Sequence, residues 1–147
     1  ACAVQMLNMF YIPDFIKWKL EQKYKKINAW PLGAGLLNYH FVYHPAHLNV
    51  LVFPKAFKER ITRKYEDFLP WLENYAKDGA IGTDADTFIN SEYGMKRLMG
   101  MVRFMNSEDW SNRMPEFREY IEKMDKIRGL DFKKTFPEMA SLLEDAL

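Results

Sequence analysis

All three histidines of the chain fall inside one stretch, Asn38 to His47, which reads NYHFVYHPAH. Imidazole is a common metal ligand, so the spacing of these side chains is the first thing to test. His40 and His44 sit in a segment where Leu37, Tyr39, Phe41 and Tyr43 alternate with Asn38, His40, Val42 and His44, the period of a strand. A strand rises about 3.3 Å per residue, which puts the backbones of His40 and His44 about 13 Å apart, too far for one metal to hold both. His44 and His47 converge only if Pro45 turns the chain, and a metal-dependent hydrolase would then need a carboxylate such as Asp14 as a further ligand. The other reading is positional. Ligands of parallel α/β proteins gather at the carboxyl ends of the strands. His44 occupies that zone if Pro45 ends its strand, and Asn8 occupies the same zone of an earlier strand that stops before Pro13. A buried asparagine requires partners for its amide, so Asn8 is either a structural amide or a ligand contact.

Other chemistry-bearing residues form no pattern. The segment PLGAG lacks the lysine and spacing of a phosphate loop, and Ser91, Ser107, Ser111 and Ser141 lack the elbow sequence of a hydrolase nucleophile. Asp125 and Arg128, three apart, read as an ion pair at a helix surface.

The elements that would position these residues follow from periodicity. Residues 3 to 12, AVQMLNMFYI, are a near-continuous apolar run, as in a strand buried on both faces. Pro13 and Asp14 open a helix with Ile16, Leu20, Tyr24 and Ile27 on one side, and NAWPLGAG from Asn28 to Gly35 is a loop. Leu36 to Phe53 holds two strand-like runs flanking His44-Pro45-Ala46, so that strand, helix and strand follow in the order of a parallel unit. From Pro54 the period becomes helical. Phe57, Ile61, Tyr65, Phe68, Leu72 and Tyr75 mark one helix, kinked or divided at Pro70. After a loop at 78–86, Phe88, Met95, Leu98, Val102 and Met105 mark a helix from about Thr87 to Met105. Phe117, Ile121, Met124 and Ile127 mark another, started at Pro115 and stopped at Gly129, and Thr135 with Glu138 has capping-box spacing for a last helix. The expected fold is therefore α/β: residues 1–53 supply strands from the later part of a partial α/β barrel, and residues 54–147 form a mostly helical C-terminal region.

Composition narrows the partners. Lysine and arginine exceed the acids by one, 21 against 20, which gives no electrostatic reason to expect nucleic acid or an anionic membrane. Most aromatic residues fall on helical core stripes without an interleaved basic stripe. Cys2 is the single cysteine, so this chain alone forms no internal disulfide and holds no cysteine-ligated cluster, and a reducing, cytoplasmic setting is expected. No apolar run approaches the roughly 20 residues that span a bilayer. An apolar first decapeptide without an initiator methionine reads as a chain cut from something longer.

The segments VQMLNMFYIPDFIKWKL, KINAWPLGAGLLNYHFVYHPAHLNVLVFP and MPEFREYIEKMDKIRGLDFKKTFPEMASL together resemble, in order, the C-terminal part of twitch-domain-containing radical S-adenosylmethionine (radical SAM) proteins. The resemblance implies a partial barrel whose early Cys-x-x-x-Cys-x-x-Cys loop holds a four-iron iron-sulfur cluster that reductively cleaves S-adenosylmethionine to a radical. That loop is absent here, as are the further cysteines of an auxiliary cluster. By resemblance the chain would contribute pocket lining and substrate or partner docking, with Asn8 facing the cofactor and His40 and His44 lining the substrate cavity. The cofactor-binding half would lie in a missing N-terminal part of the same or another chain. The alternative is a stand-alone cytoplasmic protein-interaction module with no catalysis.

Overall fold

The computed structural model describes residues 2–22, 39–77 and 92–144 of the chain. Strand β1 (Cys2–Val4) pairs in parallel with β2 (Tyr39–Phe41), with Cys2 opposite Tyr39, Ala3 opposite His40 and Val4 opposite Phe41. Helix α1 (Ile12–Glu21) lies between them in sequence, so the expected strand-helix-strand order is present. Its extent is much smaller than a barrel requires. Among the described residues these two strands form the only sheet, the remainder is mostly helical, and there is no partial barrel.

Two corrections explain the difference. The apolar run 3–12 leaves the strand after Val4, because the Gln5 N–H donates to Asn8 Oδ1 at 3.0 Å and Asn8 Nδ2 donates to the Ala3 carbonyl oxygen at 2.9 Å. These local bonds offer the backbone a turn in place of a ladder, and Met9–Tyr11 then forms a 3-10 turn that leads directly into α1. Pro13 sits in the first turn of α1, where a missing N–H goes unneeded. The second apolar run, expected as a strand from His47 to Phe53, is instead two 3-10 turns, Ala46–Leu48 and Val50–Val52. Asn49 caps the latter by accepting the Leu51 N–H at 3.0 Å. Leu48 and Val50 through Phe53 are all buried, so the run carries no alternation, and an apolar run without period suits either geometry.

The helices stand closer to expectation. Helix α2 (Lys55–Lys77) runs undivided through Pro70 and buries Phe57, Ile61, Tyr65, Phe68 and Leu72. Helix α3 (Glu92–Met105) buries Leu98, Met101, Val102 and Met105; the loops expected at 28–35 and 78–86, and the start of α3 with Phe88, lie outside the described residues. Helix α4 (Met114–Arg128) ends at Gly129 in the left-handed conformation, φ 62°, a geometry glycine adopts without a Cβ penalty. Ile127, placed on the core stripe by its spacing, is 73% exposed. Asp125 makes a backbone contact in place of the expected Arg128 pairing, its Oδ2 accepting the Phe132 N–H at 2.9 Å. The capping box at Thr135 does not form: Asp131 caps the short α5 (Phe132–Thr135) by accepting the Lys134 N–H, and Thr135 donates its hydroxyl back to the Asp131 carbonyl oxygen. A 3-10 turn (Pro137–Met139) and α6 (Ser141–Glu144) follow.

One hydrophobic cluster runs from Val4 to Leu142 and includes side chains of β1 and of each described α-helix. Tyr65 on α2 donates its hydroxyl to the Met9 carbonyl oxygen at 2.9 Å, and Tyr75 donates to that of Leu20 at 3.0 Å, which ties α2 along the N-terminal segment. Backbone bonds from Met6 N–H to the Leu48 oxygen and from Trp110 N–H to the Leu51 oxygen fasten the 3-10 turns from both sides. Among the described residues no helix is long and apolar enough to cross a membrane.

Candidate functional site

The residues nominated from spacing do not assemble. Asn8 has both ends of its amide engaged within its own turn, Oδ1 with Gln5 and Nδ2 with Ala3, and Nδ2 lies 3.9 Å from Cys2 Sγ. His40 on β2 and His44 beyond it are exposed. His47 packs its ring on Tyr120 with centroids 5.1 Å apart, and its Nε2 is buried without a hydrogen-bond partner. Asp14, the carboxylate considered alongside His44 and His47, pairs with Lys64. Among the described residues no group of three or more His, Cys, Asp or Glu is placed to hold a metal ion.

A different constellation stands along the outer side of α2. Ala56, Arg60, Arg63, Lys64 and Asp67 recur at three- and four-residue spacings, which brings them to one helix face. With Phe10 from the 3-10 turn before α1 they line an open cleft of about 570 Å³. The Arg60 guanidinium lies over the rings of Phe10 and Phe57, 5.2 and 5.5 Å from their centroids, and its Nη1 donates to the Glu138 carbonyl oxygen at 2.8 Å. Lys64 places its ammonium 3.9 Å from the Phe10 centroid while pairing with Asp14. Ring faces attract cations through their quadrupole, so both heads are held in place along the cleft. Arg63 is exposed and makes no hydrogen bond or ion pair among the described residues.

The C-terminal segment reaches Arg60 beside the cleft. The Tyr11 hydroxyl donates to Glu138 Oε2 at 2.7 Å, and this bond, with smaller help from Lys64 and Arg60, holds the Glu138 carboxyl below its usual range. Burial, followed by the bond to Glu138, pushes the Tyr11 phenol up. Beyond Arg60 a second, smaller cavity of about 260 Å³ opens between the start of α2 and residues Arg118, Ser141 and Leu142. Ala56 and Arg60 line both cavities, so Arg60 stands on the divide.

Sequence reasoning missed this site. The signal within reach was the i, i+3, i+4 run of Arg60, Arg63 and Lys64, which looks like any solvated helix face. Nothing in the linear order links that run to Phe10, Arg118 or Ser141. Comparison with family models, curated proteins and solved structures finds no match for the chain. Chemically, the arrangement offers fixed cations beside apolar ring faces, a surface suited to an anion carried on a partly apolar chain.

Proposed function

We propose that the chain is a non-catalytic, cytoplasmic protein-interaction module that docks an acidic segment of a partner protein in the cleft along α2. The observation that carries this reading is that three cations, Arg60, Arg63 and Lys64, line one open cleft over the Phe10 ring. Arg60 is anchored by ring faces and a carbonyl oxygen, which leaves its charge uncompensated by any ion pair among the described residues. Asp67 on the same cleft and Asp14 beside Lys64 disfavour the continuous phosphate chain of a nucleic acid and favour a peptide that offers its charges one at a time. The test is titration of a glutamate-rich peptide into the protein followed by amide NMR. Shifts are expected along α2 near Arg60, with affinity falling as salt is raised. Arg63→Gln, which removes no contact among the described residues and adds no like charge beside Glu59, Glu66 and Asp67, is expected to weaken binding about threefold at low salt with little change in melting temperature. Unchanged affinity in that variant would remove the cleft from the proposal.

A second reading keeps the radical SAM resemblance and draws support from the parallel β1-α1-β2 unit, a connection of the kind such enzymes use. Cys2 is the single cysteine, and a four-iron cluster takes several thiolates, so the residues of this chain do not fit that cluster. On this reading the cluster and S-adenosylmethionine belong to the cofactor-binding half, in the same or another chain, and this region docks beside it with Asn8, His40 and His44 turned toward the shared pocket. Anaerobic loading of the isolated chain with iron and sulfide is expected to leave it colourless; a stoichiometric visible chromophore would contradict the assignment.

A further inference from the structure

The smaller cavity beside Arg60 differs in chemistry from the cleft it adjoins. Two arginines, Arg60 and Arg118, and Ser141 line it together with Pro54, Phe57 and Leu142, and among the described residues no acidic residue does. Arg118 is anchored through Nε, which donates to the Leu142 carbonyl oxygen at 3.2 Å, so its two terminal nitrogens have no partner among the described residues. Arg60 is anchored in the same manner through Nη1 on the Glu138 carbonyl oxygen. Neither arginine makes an ion pair among the described residues, although Arg60 acts at longer range on the Glu138 carboxylate, which the Tyr11 hydroxyl engages. Two forks fixed at one nitrogen each, with the rest of their donors unused, suit an anion with several oxygens. Size narrows the anion further. At about 260 Å³ the cavity is below the roughly 300–1,000 Å³ that enclose a whole small ligand, and it has the scale of one side chain.

We infer that this cavity reads a phosphate group: it takes a phosphorylated side chain of the partner segment whose flanking acidic residues lie in the adjoining cleft. This rests on the docking reading above. A phosphoryl group brings about −1.5 to −2 charges and three acceptor oxygens, a fuller match to two guanidiniums and the Ser141 hydroxyl than a carboxylate with one charge and two oxygens. The apolar remainder of the wall, Phe57, Pro54 and Leu142, accommodates the carbon stem of the modified residue.

Two peptides test it: a glutamate-rich peptide with one central phosphoserine, and the same peptide with serine, each titrated into the full chain by calorimetry. The phosphopeptide is expected to bind about tenfold more tightly. Arg118→Gln should abolish that gain and Ser141→Ala should reduce it, with the serine peptide unaffected by either. Ser141→Ala leaves the Arg118 anchor on the Leu142 carbonyl oxygen in place, so it decides the matter if Arg118→Gln fails to fold. Equal affinity for the two peptides overturns the phosphate inference and leaves the docking reading standing; failure of both to bind overturns the docking reading itself. Capture by phosphatidylinositol-phosphate vesicles without discrimination between the peptides also overturns it.

Discussion

Tyr65 is fully buried, and its hydroxyl reaches across from α2 to the Met9 carbonyl oxygen. Tyr65→Phe keeps the ring and removes the donor, leaving a buried carbonyl short of a partner, so it is expected to lower stability by about 1–2 kcal/mol in urea denaturation. The same residue gives an alkaline signature. Burial raises its folded pKa well above the usual 10.0, so its contribution is fully present below pH 10.0 and is lost as pH rises beyond that value, where the unfolded chain gives up the proton first. Tyr11, also raised, acts in the same sense. Lys58 acts in the opposite sense: burial lowers its ammonium from the usual 10.5, so stability gains as pH climbs through that lowered value. The expected readout is therefore the difference between wild type and Tyr65→Phe, which should shrink between pH 9 and pH 12, roughly one to two units either side of the tyrosine value. A constant difference would mean the phenol is not held protonated by the fold. At this scale the sequence was partly legible. Asn8 was recognised as an amide that burial obliges to find partners, and it finds them in its own turn; Lys58, whose Nζ donates to the Glu108 carbonyl oxygen, carried no mark separating it from the other lysines of α2.

Among the elements, α4 shows both the reach and the limit of periodicity. Phe117 and Ile127 share one apolar stripe in the sequence, yet Phe117 is fully buried and Ile127 is 73% exposed, because Gly129 turns the chain away just after the last turn. Phe117→Ala should therefore cost about 3–5 kcal/mol, while Ile127→Lys should stay within about 0.5 kcal/mol, both measured as denaturant midpoints. Similar losses at the two positions would place the end of α4 against a neighbour. Helices α2, α3 and α4 were readable because each repeats its spacing over several turns, whereas α5 and α6, four residues each, replace the single last helix expected from Thr135. The strands were legible in their order and not in their length: β1 and β2 are three residues each, and the largely apolar runs beyond them carry no clear period. Asn8 and Asn49, each accepting a backbone N–H close by, convert those runs into 3-10 turns, a local effect that the apolar character of the runs does not announce.

At the scale of the molecule, the expectation of a barrel followed by helices gave way to one core in which the first and last segments touch. Phe10 and Tyr11 meet Arg60 and Phe136, and Tyr11 binds Glu138, 127 positions away. The candidate site was illegible for that reason: its cations come from two helices and its rings from α2 and the turn before α1, and sequence order reports none of these distances. The same closure sets a timetable. The smaller cavity takes its walls from Pro54 to Leu142, so while the chain is still being synthesised on a ribosome the pocket lacks Arg118 and Ser141 until the stretch through Leu142 has emerged. A partner that relies on that pocket therefore passes by every nascent chain that has not yet exposed residue 142.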